Sequence, residues 1–350
     1  MSDKGIFTYQ EIIDQPKVWA KIHDHVHQVQ GKFTDLLRSS DEIMFSGCGS
    51  AFNVSIVAAS TLPAVGGKKA RAMHASDIFL FPESASLGSG GTAMVFISRS
   101  GDTTETVKAL DWAKKHTTSR TLAITCGENS KLALNASEAL VLLDASEKSI
   151  VTTKSLTAMV LTVQVMAAIM ADDKRFDAEL GSLSGIGAGI MDQAKSVGEA
   201  LGNDPGISKF AFVGSGPYHG LAREAQLKIK EMTLLPSDGY HCLEYRHGPK
   251  SNVDHDMLVT IMMSDSGYEL EKDLLKEVKS LGGRTLALCP RVDPDLERLS
   301  DYTVVVGSGL SDYTRGVLYM PVVHFLAYYK ALAMGQDPDR PRNLTYYVAI

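Results

Sequence analysis

Two clusters in this 350-residue sequence have the residue types and spacing that anion binding and proton transfer need. The first is Ser98-Arg99-Ser100-Gly101-Asp102-Thr103, which follows the strand-like run Val95-Phe96-Ile97 and precedes a helix-forming stretch. Hydroxyls at a helix N-terminus sit beside unpaired backbone N–H groups and the positive end of the helix dipole, conditions that favour a phosphate. Ser and Thr are also the usual helix caps, so the pattern alone leaves both uses open. The second cluster is Glu224, Lys228 and Glu231, which share one face of a helix predicted over 221–234, followed by Tyr240–Lys250, where His241, Glu244, Arg246 and His247 crowd together before a Gly-Pro break. The ordinary expectation for such a helix face is a solvated row of ion pairs. A carboxylate and a histidine titrating near neutrality are, equally, a suitable pair for moving protons.

Other candidates are weaker. His23, His25 and His27 form an H-x-H-x-H run in which His23 and His27 share a helix face, but no H-E-x-x-H motif accompanies them, so a polar helix face without metal is expected. Gly47-Cys48-Gly49-Ser50 and Gly214-Ser215-Gly216-Pro217 each join a strand to a helix, yet neither completes G-x-G-x-x-G, and tight turns explain them. There is no G-x-S-x-G elbow and no Walker loop. The cysteines, Cys48, Cys126, Cys242 and Cys289, are widely spaced without a C-x-x-C pair, which predicts free thiols in a reducing cytoplasm. A net charge of −6 with no dense Lys/Arg cluster argues against nucleic acid as a partner. No apolar stretch reads as long and uninterrupted enough for a membrane span.

The elements that must position these residues repeat. From Glu42 the chain alternates short apolar runs, glycine turns and helix-forming stretches, which predicts an α/β fold with parallel sheets covered by helices. The pattern occurs twice: Gly47 corresponds to Gly214, Ser98 to Ser264 and Leu122 to Leu286, at offsets of 167, 166 and 164. This is an internal duplication. The expected division is a helical segment over 1–37, a first unit over 38–190, a second over 195–335 and an extended tail over 336–350, with the glycine-rich 172–196 stretch as the boundary. In the second copy of the hydroxyl loop, Ser264-Asp265-Ser266-Gly267-Tyr268-Glu269, Glu269 stands opposite Thr103 and would repel a phosphate, so one phosphate site per chain is expected.

S-R-S-G-D-T at 98–103, V-T-T-K-S-L-T at 151–157, and L-K-I-K-E ending at Glu231 with H-G-P beginning at His247 occur in order, and together they resemble the SIS (sugar isomerase) family. The likeness is to its double-domain phosphosugar isomerases and deaminases, including the AgaS-like proteins and the isomerase part of glucosamine-6-phosphate synthase. The resemblance implies two tandem flavodoxin-like α/β/α sandwiches around one sugar-phosphate site per subunit of a homodimer. By motif position Ser98, Arg99, Ser100 and Thr103 would form the phosphate loop, with Ser50, Val151, Thr152 and Lys154 nearby. Glu231 would be the acid/base, Lys228 would line the pocket, and His247, supplied across the dimer interface, would open the sugar ring. No metal or organic cofactor is implied.

Three departures narrow the expectation. The chain begins Met1-Ser2, without a cysteine nucleophile for glutamine-dependent amination; Tyr346 stands where the synthase tail carries a lysine; and Ala51 replaces a family hydroxyl. The expected activity is cytoplasmic interconversion of ketose and aldose forms of a hexose or hexosamine 6-phosphate. A deaminase or deglycase using the same proton shuttle, and a sensor without catalysis, are the alternatives.

Overall fold

The computed structural model describes residues 4–85 and 91–349, and the strand-like run Val95-Phe96-Ile97 lies in a strand as expected. β1 (Glu42–Gly47), β2 (Lys69–His74), β3 (Thr92–Ile97), β4 (Thr121–Thr125) and β5 (Glu138–Val141) form one parallel sheet in the order β2-β1-β3-β4-β5. β6 (Lys209–Gly214), β7 (Ser237–Tyr240), β8 (Met257–Met262), β9 (Arg284–Cys289) and β10 (Tyr302–Val305) form a second, ordered β10-β9-β8-β6-β7. Read from equivalent edges the two orders are the same, so the sequence duplication is a duplication of topology. Strands β4 and β8 are buried at every residue, as parallel sheets covered on both faces require. Both sheets have the flavodoxin-like order, in which ligands bind beyond the carboxyl ends of the strands where the winding reverses. In the first sheet that point lies between β1 and β3, the strands that lead into Gly47–Ser50 and Ser98–Thr103.

The glycine turns are built alike. Gly49 has φ 55° and ψ −125°, Gly216 has φ 54° and ψ −124°, and each precedes a helix, Ser50–Val65 or Pro217–Thr233. A side chain disfavours this conformation, so glycine is needed here for a turn and not for a dinucleotide.

By internal contact the chain divides into two compact units, one of Asp14–Glu147, Thr152–Ser184 and Thr345–Ile350, the other of Met1–Ile13, Lys148–Val151 and Gly185–Leu344. The stretch expected as the boundary, 172–196, is helical from Lys174 onward, inside the helix Lys174–Gly202. Gly185 and Gly189 have open space around them, whereas Gly198 and Gly202, near the end of that helix, are spaces for packing. A Cβ at Gly198 or Gly202 would come within 2.5 Å of Phe325 or 2.7 Å of Tyr329 on the helix Asp312–Ala333. The helix Lys154–Ala171 corrects another expectation, because its 18 residues have a mean hydropathy of 1.6 and are long and apolar enough to cross a membrane. Here it is a core helix, with 83% of that stretch buried.

Candidate functional site

In the unit of the first sheet, β3 ends at Ile97 and the chain turns through Ser98–Thr103 into the helix Thr104–His116. The three hydroxyls converge. Ser98 Oγ lies 3.4 Å from Ser100 Oγ and 3.0 Å from Thr103 Oγ1, and it accepts the Gly101 N–H at 3.1 Å. Ser100 Oγ accepts the Asp102 N–H at 3.1 Å. Beyond the neighbouring strand β1, Ser50 Oγ accepts a hydrogen bond from Thr152 Oγ1 at 2.9 Å, which ties the glycine turn to the V-T-T-K segment. Lys154 opens the following helix, and Val151 is buried.

Arg99, in the middle of the loop, is held from below and above. Its side chain is 7% exposed, and its guanidinium lies 3.4 Å from the Glu147 carboxylate, donates to the Tyr346 carbonyl at 3.0 Å and stacks 4.1 Å from the Tyr346 ring centroid. Glu147 carries more than this pair: it accepts from Thr153 N–H at 2.7 Å, Thr153 Oγ1 at 3.0 Å, Ser155 N–H at 3.2 Å and Ser155 Oγ. One buried carboxylate thus organises both the hydroxyl loop, through Arg99, and the N-terminus of the helix Lys154–Ala171. Sequence reasoning passed over Glu147; the available signal was an acidic residue just ahead of a run of Ser and Thr, the arrangement of a helix start.

In the unit of the second sheet, the helix Pro217–Thr233 places Glu224, Lys228 and Glu231 on one face, but that face is not solvated. Glu224 and Lys228 side chains are 0% exposed and Glu231 is 20% exposed. Lys228 Nζ lies 3.2 Å from Glu224 Oε1 and donates to the Glu231 carboxylate. Burial by itself would push the ammonium down, but the two carboxylates outweigh it and hold the Lys228 pKa above its ordinary value. The lysine stays charged and holds Glu231, whose side chain is partly exposed. His324, close enough to feel the Lys228 charge, is fully buried, and among the described residues neither of its ring nitrogens has a hydrogen-bond partner. Burial, with the Lys228 charge added, pushes its pKa down to about 3, so the ring is neutral.

The second copy of the hydroxyl loop is already filled. Glu271 accepts from Ser264 N–H at 2.7 Å and Ser264 Oγ at 3.1 Å, and Asp312 accepts from Asp265 N–H at 2.8 Å, Ser266 N–H at 3.1 Å and Ser266 Oγ at 2.9 Å. Burial raises the Glu271 pKa to about 7 against the opposing Ser264 hydrogen bonds. The expected blocking residue, Glu269, is instead exposed and pairs with Lys272 at 2.9 Å. Two residues separate the aligned position from the one that fills the loop: Glu271, nearly a turn into the helix, points back at it.

The structure therefore brings Ser98, Ser100 and Thr103 together, Ser50 to Thr152, Arg99 to Glu147, and Lys228 to Glu231. His247 joins none of these groups. It is exposed at the end of a 3₁₀ turn, Leu243–Arg246.

A family model described as SIS domain matches residues 36–169 and 208–329, one segment for each sheet. The chain is 25% identical over its whole length to a glutamine–fructose-6-phosphate aminotransferase (isomerizing) of Methanothermobacter thermautotrophicus, of which it spans 59%. Among solved structures, a tagatose-6-phosphate ketose/aldose isomerase from Escherichia coli superposes with a TM-score of 0.86 at 23% identity, covering 97% of both chains, a likeness of fold. A glucosamine-6-phosphate deaminase from Thermotoga maritima is 29% identical with a TM-score of 0.78, covering 98% of this chain and 99% of that one. With two matched segments, two sheets of the same order and two identical glycine turns, this chain belongs to the SIS domain family.

Proposed function

We propose that the protein is a phosphosugar isomerase that interconverts ketose and aldose forms of a hexose or hexosamine 6-phosphate. The observation that carries this reading is the Lys228–Glu231 pair: a glutamate whose side chain is one-fifth exposed, held by a fully buried lysine. Aldose–ketose interconversion removes a proton beside a carbonyl and returns it one carbon away, and one fixed carboxylate can do both from one face. In this scheme Glu231 takes the proton from C1 of the ketose or C2 of the aldose and returns it to the other carbon. Ser98, Ser100 and Thr103 hold the phosphate, whose binding energy positions the open-chain sugar. His247, contributed by the partner subunit of a homodimer, opens the ring; its exposure in the single chain is consistent with that role. Lys228 keeps Glu231 in register.

The second reading, loss of ammonia from an amino sugar 6-phosphate through the same shuttle, is favoured by the 29% identity to a deaminase structure. One experiment separates the two. The protein is incubated in D2O with a panel of hexose, ketose and hexosamine 6-phosphates and followed by proton NMR, beside the Glu231→Gln variant. Deuterium at C1 or C2 with aldose–ketose conversion establishes the isomerase, and ammonia release moves the protein to the deaminase branch. Turnover that survives unchanged in Glu231→Gln rejects both mechanisms.

A further inference from the structure

The histidine run that the catalytic reading leaves unused meets a carboxylate far away in sequence. His23 and His27 are one turn apart on the helix Ile6–Gln28, and Asp177 comes from the helix Lys174–Gly202. Asp177 Oδ1 is 3.1 Å from His23 Nε2 and 2.9 Å from His27 Nε2, and no two of the three ligand atoms are more than 4.8 Å apart. Zinc bonds of about 2.0–2.2 Å to nitrogen and oxygen put tetrahedral ligand atoms roughly 3.3 Å from one another. Two of the three edges already have nearly that length.

We propose that His23, His27 and Asp177 form a metal site for a divalent first-row d-block ion of the Zn2+, Co2+ or Ni2+ kind. Two imidazoles and one carboxylate select these ions over Mg2+ and Ca2+, which take all-oxygen sets. All three side chains are partly buried, at 18%, 33% and 24% exposure, which shields the ion and still leaves an approach. The approach is a polar groove of about 170 Å³ bounded by His27, Gln30, Arg38, Asp173 and Asp177, far larger than one water needs, so a water can complete the tetrahedron. Metal binding puts each ring in the Nδ1–H tautomer, and the Asp24 carboxylate stands 3.8 Å from His23 Nδ1, on the side where metal-bound histidines commonly have a carboxylate. Of the cations flanking the groove, Lys174 is paired with Asp172 at 2.7 Å, and Arg38, which keeps its charge, is turned onto the Ile169 carbonyl at 3.0 Å; Asp172, Asp173 and Asp177 line the same groove. The ion would join two helix segments of the same unit. It has no part in the proton shuttle.

The test uses the untagged full chain after chelator treatment, titrated with Co2+ and read by visible absorbance. One equivalent is expected to give the 500–650 nm bands of a tetrahedral ion, displaced by Zn2+, and Zn2+ is expected to raise the midpoint of thermal unfolding. His27→Gln and Asp177→Asn should each weaken Co2+ binding at least ~tenfold, the range known for less direct metal contacts. His25→Gln, on the same helix, should leave it unchanged, and far-UV circular dichroism confirms that each variant is folded. Absence of a saturable band, or a band that survives in folded His27→Gln or is lost in His25→Gln, overturns the proposal.

Discussion

Lys228 Nζ donates to the carboxylate of Glu231 three residues along the same helix, and the lysine is wholly buried while the glutamate is 20% exposed. A second carboxylate, Glu224, is buried against the same ammonium. Removing the cation leaves two carboxylates facing each other, one of them out of water. Lys228→Met should therefore destabilise the protein by about 3–5 kcal/mol, the range for breaking a buried ion pair from one side. Adding Glu224→Leu should restore much of that stability without restoring turnover, since Glu231 stays unanchored. Urea unfolding of both variants beside the deuterium-exchange rate checks the two halves of the statement.

The hydroxyl loop should act on binding and not on chemistry. Thr103→Val keeps the shape of the side chain but removes the oxygen that sits 3.0 Å from Ser98 Oγ. A hydrogen bond to a charged group contributes about 1.5–3 kcal/mol, so KM for the phosphosugar should rise by ~10- to 100-fold. The turnover number should move little. A matched loss in kcat would mean that Thr103 touches the reacting carbons.

Tyr346 covers Arg99 with its ring and accepts from it through its carbonyl, and its hydroxyl donates to the Glu147 carbonyl at 3.4 Å. Tyr346→Ala should cost about 1 kcal/mol, the scale of a partly desolvated cation–π contact, and raise KM several-fold by loosening the loop. Tyr346→Phe keeps the stack and should behave close to wild type. Thermal unfolding and steady-state kinetics on the pair distinguish the ring from the hydroxyl.

His324 sets a pH dependence. Its folded pKa is depressed to about 3 from an ordinary value near 6.5, so the unfolded chain binds a proton that the folded one does not. Its contribution is whole above pH 6.5 and is lost progressively as pH falls toward 3. At pH 5 the loss is about 2 kcal/mol, from 1.36 kcal/mol per pH unit over roughly one and a half units. His324→Phe should abolish that part of the acid sensitivity, so the gap in stability between pH 7.5 and pH 5 should shrink by the same amount in denaturant titrations.

The correspondence of the two copies was legible because strand, glycine turn and helix start are each written in a few consecutive residues. Gly49 and Gly216 illustrate it: the same turn needs the same positive φ, and only glycine meets it cheaply. The hydroxyl loop was legible for the same reason. The helix face of Glu224, Lys228 and Glu231 was legible as a face but not as an interior, since helical spacing is the same whether water or protein lies opposite. Only packing decided that Lys228 is enclosed.

By itself, then, the sequence determined two parallel α/β units related by duplication, and the positions of the hydroxyl loop and the Glu–Lys–Glu row. Tertiary structure decided what those rows touch. It chose Glu271 and Asp312 over Glu269 to fill the second loop, set Glu147 beneath Arg99, placed His324 close enough to feel the Lys228 charge, and carried Asp177 across 150 residues of chain to His27. The physical reason is that short-range pattern encodes conformation, whereas burial, charge pairing and ligand geometry depend on partners brought together by folding.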